Sequence, residues 1–369
     1  MLLPISSATA RGACRRTRCI AALLTLTISI ASPAAAQNPP ARSPRPDFSV
    51  LAPIGLPSPA ELAAIERGDV VVRVLPTADR DEVALLGVAS MSVPRDFYFA
   101  RARSASVALD EPGRAAFGVF HVPPTEADIA RAVLDPSDAA GLKTCRVSHC
   151  SIKLPAQEMT AIARAIDWSR VGDAEGAAHV DSLVRRWLVA LVTDYRARGS
   201  AAMPVYDDTR AGERSASGFL ALLGENAFLL RDAPSFATYL AGSPESAVPG
   251  AESTIYWSQD QRPGLKPILS VSQRSTFHGA GDGAPMLVAV KQLYASHYFD
   301  AWLDIALLIE QSGPMPSTNL VLVRRVRFDR LPNRGLFDIR GRVVRRLRDE
   351  LRQELARTKQ ATEAAYHER

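Results

Sequence analysis

Cysteine is all but missing from the body of this chain. Of its four cysteines, Cys14 and Cys19 fall in the first 36 residues, which leaves Cys145 and Cys150 alone in the segment CRVSHC. In an oxidising compartment such an isolated pair forms one local disulfide. A metal site would have to add His149, crowding three ligands into six residues with no second cluster to complete it. Histidine is equally sparse. The six, at 121, 149, 179, 278, 297 and 367, are too scattered for spacing to assemble a metal centre, and no cofactor or metal is expected. No G-x-S-x-G elbow, H-E-x-x-H, P-loop or paired Cys-x-x-Cys motif occurs. GAGDG at 279–283 is followed by Pro285 and a strand pattern where a phosphate-binding helix would have to begin, so it reads as a hairpin turn.

Long apolar runs are also lacking once the N-terminal segment is passed, and no later window offers the roughly twenty residues needed to span a bilayer. That first segment carries Arg11, Arg15, Arg16 and Arg18, then an apolar run from Ile20 to Ala31, then Ala34-Ala35-Ala36. This is the pattern of a secretory signal peptide cleaved near Ala36, and it implies a periplasmic or secreted protein. Acids are absent from the segment, so its four arginines account for all but +1 of the formal +5 net charge, and the high pI gives no argument for nucleic acid. Residues 37–57 contain six prolines and read as an extended leader.

What remains, 58–369, is expected to fold as a single α+β domain. Ser58-Pro59-Ala60-Glu61 signals a capped helix to Arg67. Val70–Leu75 and Val83–Val93 read as paired strands, with a short helix after Pro94. Residues 105–252 read as a mostly helical insertion, with strand-like pieces at GRAAFGVF and Ser151–Leu154, a TEADIARAVL helix, a long amphipathic helix over Asp173–Arg198 and one or two helices in 215–241. A strand array follows: Ser253–Ser258, Ile268–Phe277, Met286–Glu310, read as one strand or a tight strand pair, and Asn319–Phe328. Its turn-rich connections predict an antiparallel meander. Leu336–Thr362 is predicted to be a long helix with Val343, Leu347, Leu351 and Leu355 on one face and arginines on others.

Within the array, KQLYASHYFDAWLDIALLIE (291–310) alternates an apolar odd set, interrupted by His297, with an even set containing Tyr294, Tyr298, Asp300, Trp302 and Asp304. A bulge near Phe299 would exchange the two faces. His297, Tyr294, Tyr298 and Asp300, with Tyr256 and Trp257 of the TIYWS strand, are the candidate ligand-binding residues. The plain alternatives are a hydrogen-bonded core histidine and core-filling aromatics.

Early strands with a helix straight after them, then a terminal meander and a long last helix, resemble the START/SRPBCC helix-grip superfamily in order of elements. The resemblance uses Val70–Ser104 and Ser253–Thr362. It implies an antiparallel sheet gripping the C-terminal helix, with a lipid or other apolar small molecule held between them. Two other functions stay open: an enzyme of cyclase, isomerase or hydrolase type in which His297 works with Asp300 or Tyr298, and a structural or partner-binding envelope protein. The arginines of the last helix suggest peripheral contact with a membrane surface. Asp349, Glu350 and Glu354, interleaved with them, suggest instead a solvated helix with charge pairs.

Overall fold

The computed structural model describes residues 47–104, 113–170, 174–208, 215–281, 283–311, 313, 315–331 and 338–369. The expected signal peptide, residues 37–46 of the leader and the first residues of the expected final helix lie outside these. Ser58 opens α1 (Pro59–Glu66) with its hydroxyl on the Glu61 N–H, and Glu61 returns its carboxylate to the Ser58 N–H at 2.7 Å. The antiparallel strands β1 (Val71–Leu75) and β2 (Glu82–Met91) follow, and Pro94 leads into α2 (Arg95–Arg103).

β3 (Arg114–Val119) then precedes six helices: α3 (Pro136–Gly141), α4 (Ala156–Ala165), α5 (Ala174–Arg198), α6 (Ser215–Gly224), α7 (Ala227–Asp232) and α8 (Pro234–Ala241). The meander comprises β4 (Ala251–Asp260), β5 (Ile268–His278), β6 (Met286–Ala295), β7 (Phe299–Gln311) and β8 (Ser317–Phe328), and α9 (Ile339–His367) closes the chain.

All eight strands form one antiparallel sheet in the order β1-β2-β8-β7-β6-β5-β4-β3. The chain starts at one edge, jumps to the other after β2 and works back strand by strand until β8 docks on β2. Strand alternation then sends side chains to two different cores. Ala84, Leu86 and Val88 of β2 join Ile305, Leu307, Val321 and Val323 beneath α1 and the α4–α8 layer. Val83, Leu85 and Ala89 join Leu308, Leu320 and Leu322 beneath α2 and α9, against Leu347, Leu351 and Leu355. The sheet is therefore covered on both faces.

The structure corrects several expectations. The end of the leader is part of the fold: Ser49–Ile54 is a 3-10 turn that puts Phe48 and Leu51 into the core, because FSVLAPI is apolar despite its proline. Ser151–Leu154 is not a strand, since its backbone bonds diverge, Lys153 N–H to Ser296 O and Asp207 N–H to Leu154 O. TEADIARAVL yields only a 3-10 turn at Glu126–Ile129. Residues 215–241 hold three helices rather than one or two. Met286–Glu310, open between one strand and a tight strand pair, is the pair, the β6–β7 hairpin turning through Ser296, His297 and Tyr298.

Candidate functional site

The β6–β7 turn is the most unusual stretch of backbone in the sheet. Tyr298 takes φ 66°, the left-handed position that closes a three-residue hairpin loop and is normally filled by glycine. Its side chain and carbonyl are anchored in compensation: the Tyr298 hydroxyl accepts from Lys266 N–H at 3.0 Å, and its carbonyl accepts from Asp329 N–H at 2.9 Å. His297 is consequently not on a strand face. Its Nε2 meets Asp138 Oδ2 at 2.6 Å.

Asp138 is delivered by α3. Asp135 caps that helix by accepting the Ser137 N–H, Pro136 takes the first helical position, and Asp138 points from the first turn into the interior, its side chain 2% exposed. Its other oxygen accepts from Lys266 Nζ at 2.6 Å, and that bond pushes the Lys266 amine above its ordinary value. His297, Asp138, Lys266 and Tyr298 thus form a closed ring of contacts joining α3, the β4–β5 loop and the β6–β7 turn. A second tie flanks it: Lys153 pairs with Asp329, and its backbone N–H donates to Ser296 O at 3.1 Å. Asp208 is nearby in charge terms, its carboxyl pushed up by burial and pulled down by Lys153.

Cys145 and Cys150 form the expected disulfide, with Cα atoms 4.3 Å apart. Their bond to each other removes both sulfurs from the metal alternative. Among the described residues no group of three or more His, Cys, Asp and Glu side chains could hold a metal ion. The disulfide loop abuts the ring, since Ser151 Oγ donates to Asp138 O at 3.0 Å and Ser148 N–H to Asp207 O at 2.6 Å.

The remaining candidates are dispersed by two bulges. Leu293 is an extra residue in β6 opposite the Val271–Ser272 step, and Asp300 is an extra residue in β7 opposite Arg327–Phe328. The first bulge turns Leu293 and Tyr294 to the same face. Tyr294 is therefore fully buried in the helical-side core, edge-on to Trp187 with ring centroids 5.0 Å apart. Burial raises its phenol pKa far above the ordinary value. Asp300 faces α6, close enough to Gly218 that a Cβ there would stand 2.7 Å from its Oδ2, and lies 3.5 Å from Arg327. Trp257 is core: its indole N–H donates to Asp128 O at 2.7 Å, in space that Gly118 leaves by having no side chain. Tyr256 points to the other face and packs on Phe117 with centroids 5.4 Å apart. Only His297 and Tyr298 of the six meet at one place.

Sequence reading missed Asp138 and Lys266, whose distance along the chain from His297 hides the ring, and it missed Lys291. Lys291 is fully buried on the helical face, with Tyr195 Oη at 2.9 Å, Leu240 O at 2.9 Å and Ser200 Oγ at 2.7 Å. Burial pushes its amine pKa far down. Tyr195 spends its own proton on Gln273 Oε1 and so accepts one N–H, while Ser200 Oγ and Leu240 O accept the others. A signal was present: Lys291 shares the parity of Leu287, Ala289 and Leu293.

On the opposite face, Arg324 makes a bidentate pair with Asp304 and reaches Glu354 of α9 at 2.9 Å, under the ring of Trp302. Burial opposes its charge, but Asp304 and Glu354 outweigh that and hold the guanidinium protonated. The described cleft between α1 and the β1–β2 hairpin, lined by Pro57, Ile65, Val71, Leu86 and Val88, has room for about one water molecule. In sequence the chain matches no protein-family model and no curated protein.

Proposed function

We propose that this chain is a non-catalytic protein of an oxidising, extracytoplasmic compartment that works through its surface, docking on a partner in the cell envelope. The observation that carries the reading is direct packing on both faces of the sheet. Leu351 and Leu355 of α9 sit against the bare backbone of Gly87, and Trp257 fills the space above Gly118. Holding an apolar molecule between sheet and α9 would require those leucines to leave β2. The disulfide and the lack, among the described residues, of a helix long and apolar enough to cross a membrane support the assigned compartment.

Native mass spectrometry and solvent extraction of the purified protein, with cross-linking in intact envelopes, test this. The expected outcome is a bare protein mass and cross-links from the chain to a component of the envelope, protein or lipid. A stoichiometric apolar molecule in the extract would overturn it in favour of a carrier. One observation favours an enzyme instead, the 2.6 Å contact between His297 and Asp138. With the His297 side chain 10% exposed, that reading needs a substrate path beside Lys266.

A further inference from the structure

Most of the acids that alternate with arginines in the last helix do not share their side of it, Asp349 excepted. Glu350 turns inward to Arg262 at 2.6 Å and Arg346 at 2.9 Å, and Glu354 turns inward to the buried Arg324. Glu363 is drawn in as well, to the Ser92 N–H at 2.8 Å. Helical spacing leaves Arg342, Arg345, Arg348 and Arg352 within about a third of a turn on the outward side, a stripe about 15 Å long. Among the described residues, Asp349, shared at 3.4 Å by Arg348 and Arg352, and Asp338 at the helix start, 3.7 Å from Arg345, face it. The charge pairs expected of this helix form at Asp349 and Glu350, with Arg348, Arg352 and Arg346, but Glu350 also turns to Arg262 and Glu354 goes to Arg324, so arginines outnumber acids on the exposed side.

We infer that this stripe is the docking surface of the protein and that its partner is an anionic phospholipid surface. The inference rests on the reading that the protein acts through its surface, and it names the partner. Arginine forks match phosphate oxygens in pairs. A rigid cluster on one side of a helix suits a plane of headgroups, and α9 is held rigid because its other side is riveted to β2 by Leu347, Leu351 and Leu355. The outward side continues past the arginines as Gln353, Ala356 and Gln360, which offer no aromatic ring on which a base could stack. It also has no large apolar side chain to enter the acyl region, so the attachment is electrostatic and reversible.

Flotation of the full mature chain with vesicles tests the assignment. The protein should float with vesicles of equal parts phosphatidylglycerol and phosphatidylcholine at low salt, stay behind with phosphatidylcholine alone, and be released by high salt. The Arg345→Glu/Arg352→Glu variant alters two solvent-side residues and should melt like the parent, while its partition falls at least about tenfold. Arg345→Lys/Arg352→Lys should retain most of the binding. No flotation with phosphatidylglycerol, or equal flotation of the charge-reversed variant, would overturn the inference, as would tighter binding to an oligonucleotide or an acidic protein at matched salt. If the charge-reversed variant still captures its envelope partner, the surface-acting reading survives and the lipid assignment alone fails.

Discussion

Leu355 occupies the space in which any side chain at position 87 would have to sit: a Cβ on Gly87 would overlap Leu355 Cδ1 and stand 3.3 Å from Leu351 Cδ2. Glycine here sets how closely α9 approaches β2. Gly87→Ala should cost about 1–3 kcal/mol by overpacking, and Leu355→Ala about 2–5 kcal/mol by leaving a cavity. The double variant should be less unstable than the sum of the two, because the truncated leucine makes room for the new methyl. Denaturant unfolding of all four proteins measures the coupling, and strict additivity would contradict the packing described.

Asp138→Asn tests the ring at the hairpin turn. Each carboxylate oxygen holds one cationic or proton-donating partner, and an amide cannot serve both. A loss of about 2 kcal/mol is expected. Hydrogen exchange should speed up first in α3 and at Ser296–Tyr298, whereas uniform acceleration across the sheet would assign Asp138 a general packing role.

Lys291 makes stability depend on pH in a definite direction. Its native amine is neutral at pH values where the unfolded lysine, with an ordinary pKa of about 10.4, still binds a proton. The unfolded state therefore gains from low pH and the native state does not. Relative to Lys291→Met, the parent should become steadily more stable as pH rises through the window between the lowered native value and about 10.4, by at most about 1.4 kcal/mol per pH unit. A difference that stays flat with pH would mean that the buried amine keeps its proton.

The disulfide closes a small loop, and chain entropy alone predicts about 2 kcal/mol from it. Cys145→Ser/Cys150→Ser should lose that much in thermal or denaturant unfolding. The Ser148 and Ser151 hydrogen bonds to Asp207 and Asp138 should loosen with it, visible as faster exchange near α3.

Much of the frame was legible because it is written in local chemistry. Ser58, Pro59 and Glu61 announce α1, and the meander and α9 follow from period and turn residues. The choice between one strand and a tight pair over 286–310 stayed open in the sequence for a geometric reason. A turn of three residues pairs odd positions with odd, as in Leu287 with Leu307 and Ala289 with Ile305, so alternation runs through the turn unbroken. Tyr298 takes the left-handed position without the glycine that would have marked it. The bulges at Leu293 and Asp300 oppose one another across the hairpin. They exchange faces near its tip and restore them beyond it, so Tyr294 goes to the helical core while Trp302 and Asp304 turn towards α9. The ring of His297, Asp138 and Lys266 was not legible, because only tertiary folding brings its members together.

The order of the strands also fixes when the protein can become itself. Glu82–Met91 finds its second neighbour in Arg327–Thr318, and that edge is buried only when α9 lands on it. A chain delivered N-terminus first therefore holds its opening hairpin in waiting, half paired, while the whole helical layer and four meander strands arrive. Closure depends on contacts between the most distant parts of the polypeptide, which is slow. Until the last strand docks, the molecule stays threadable and open to proteases. Afterwards its early and late segments lock one another, so a cut in the final helix should free the beginning of the chain as surely as its end.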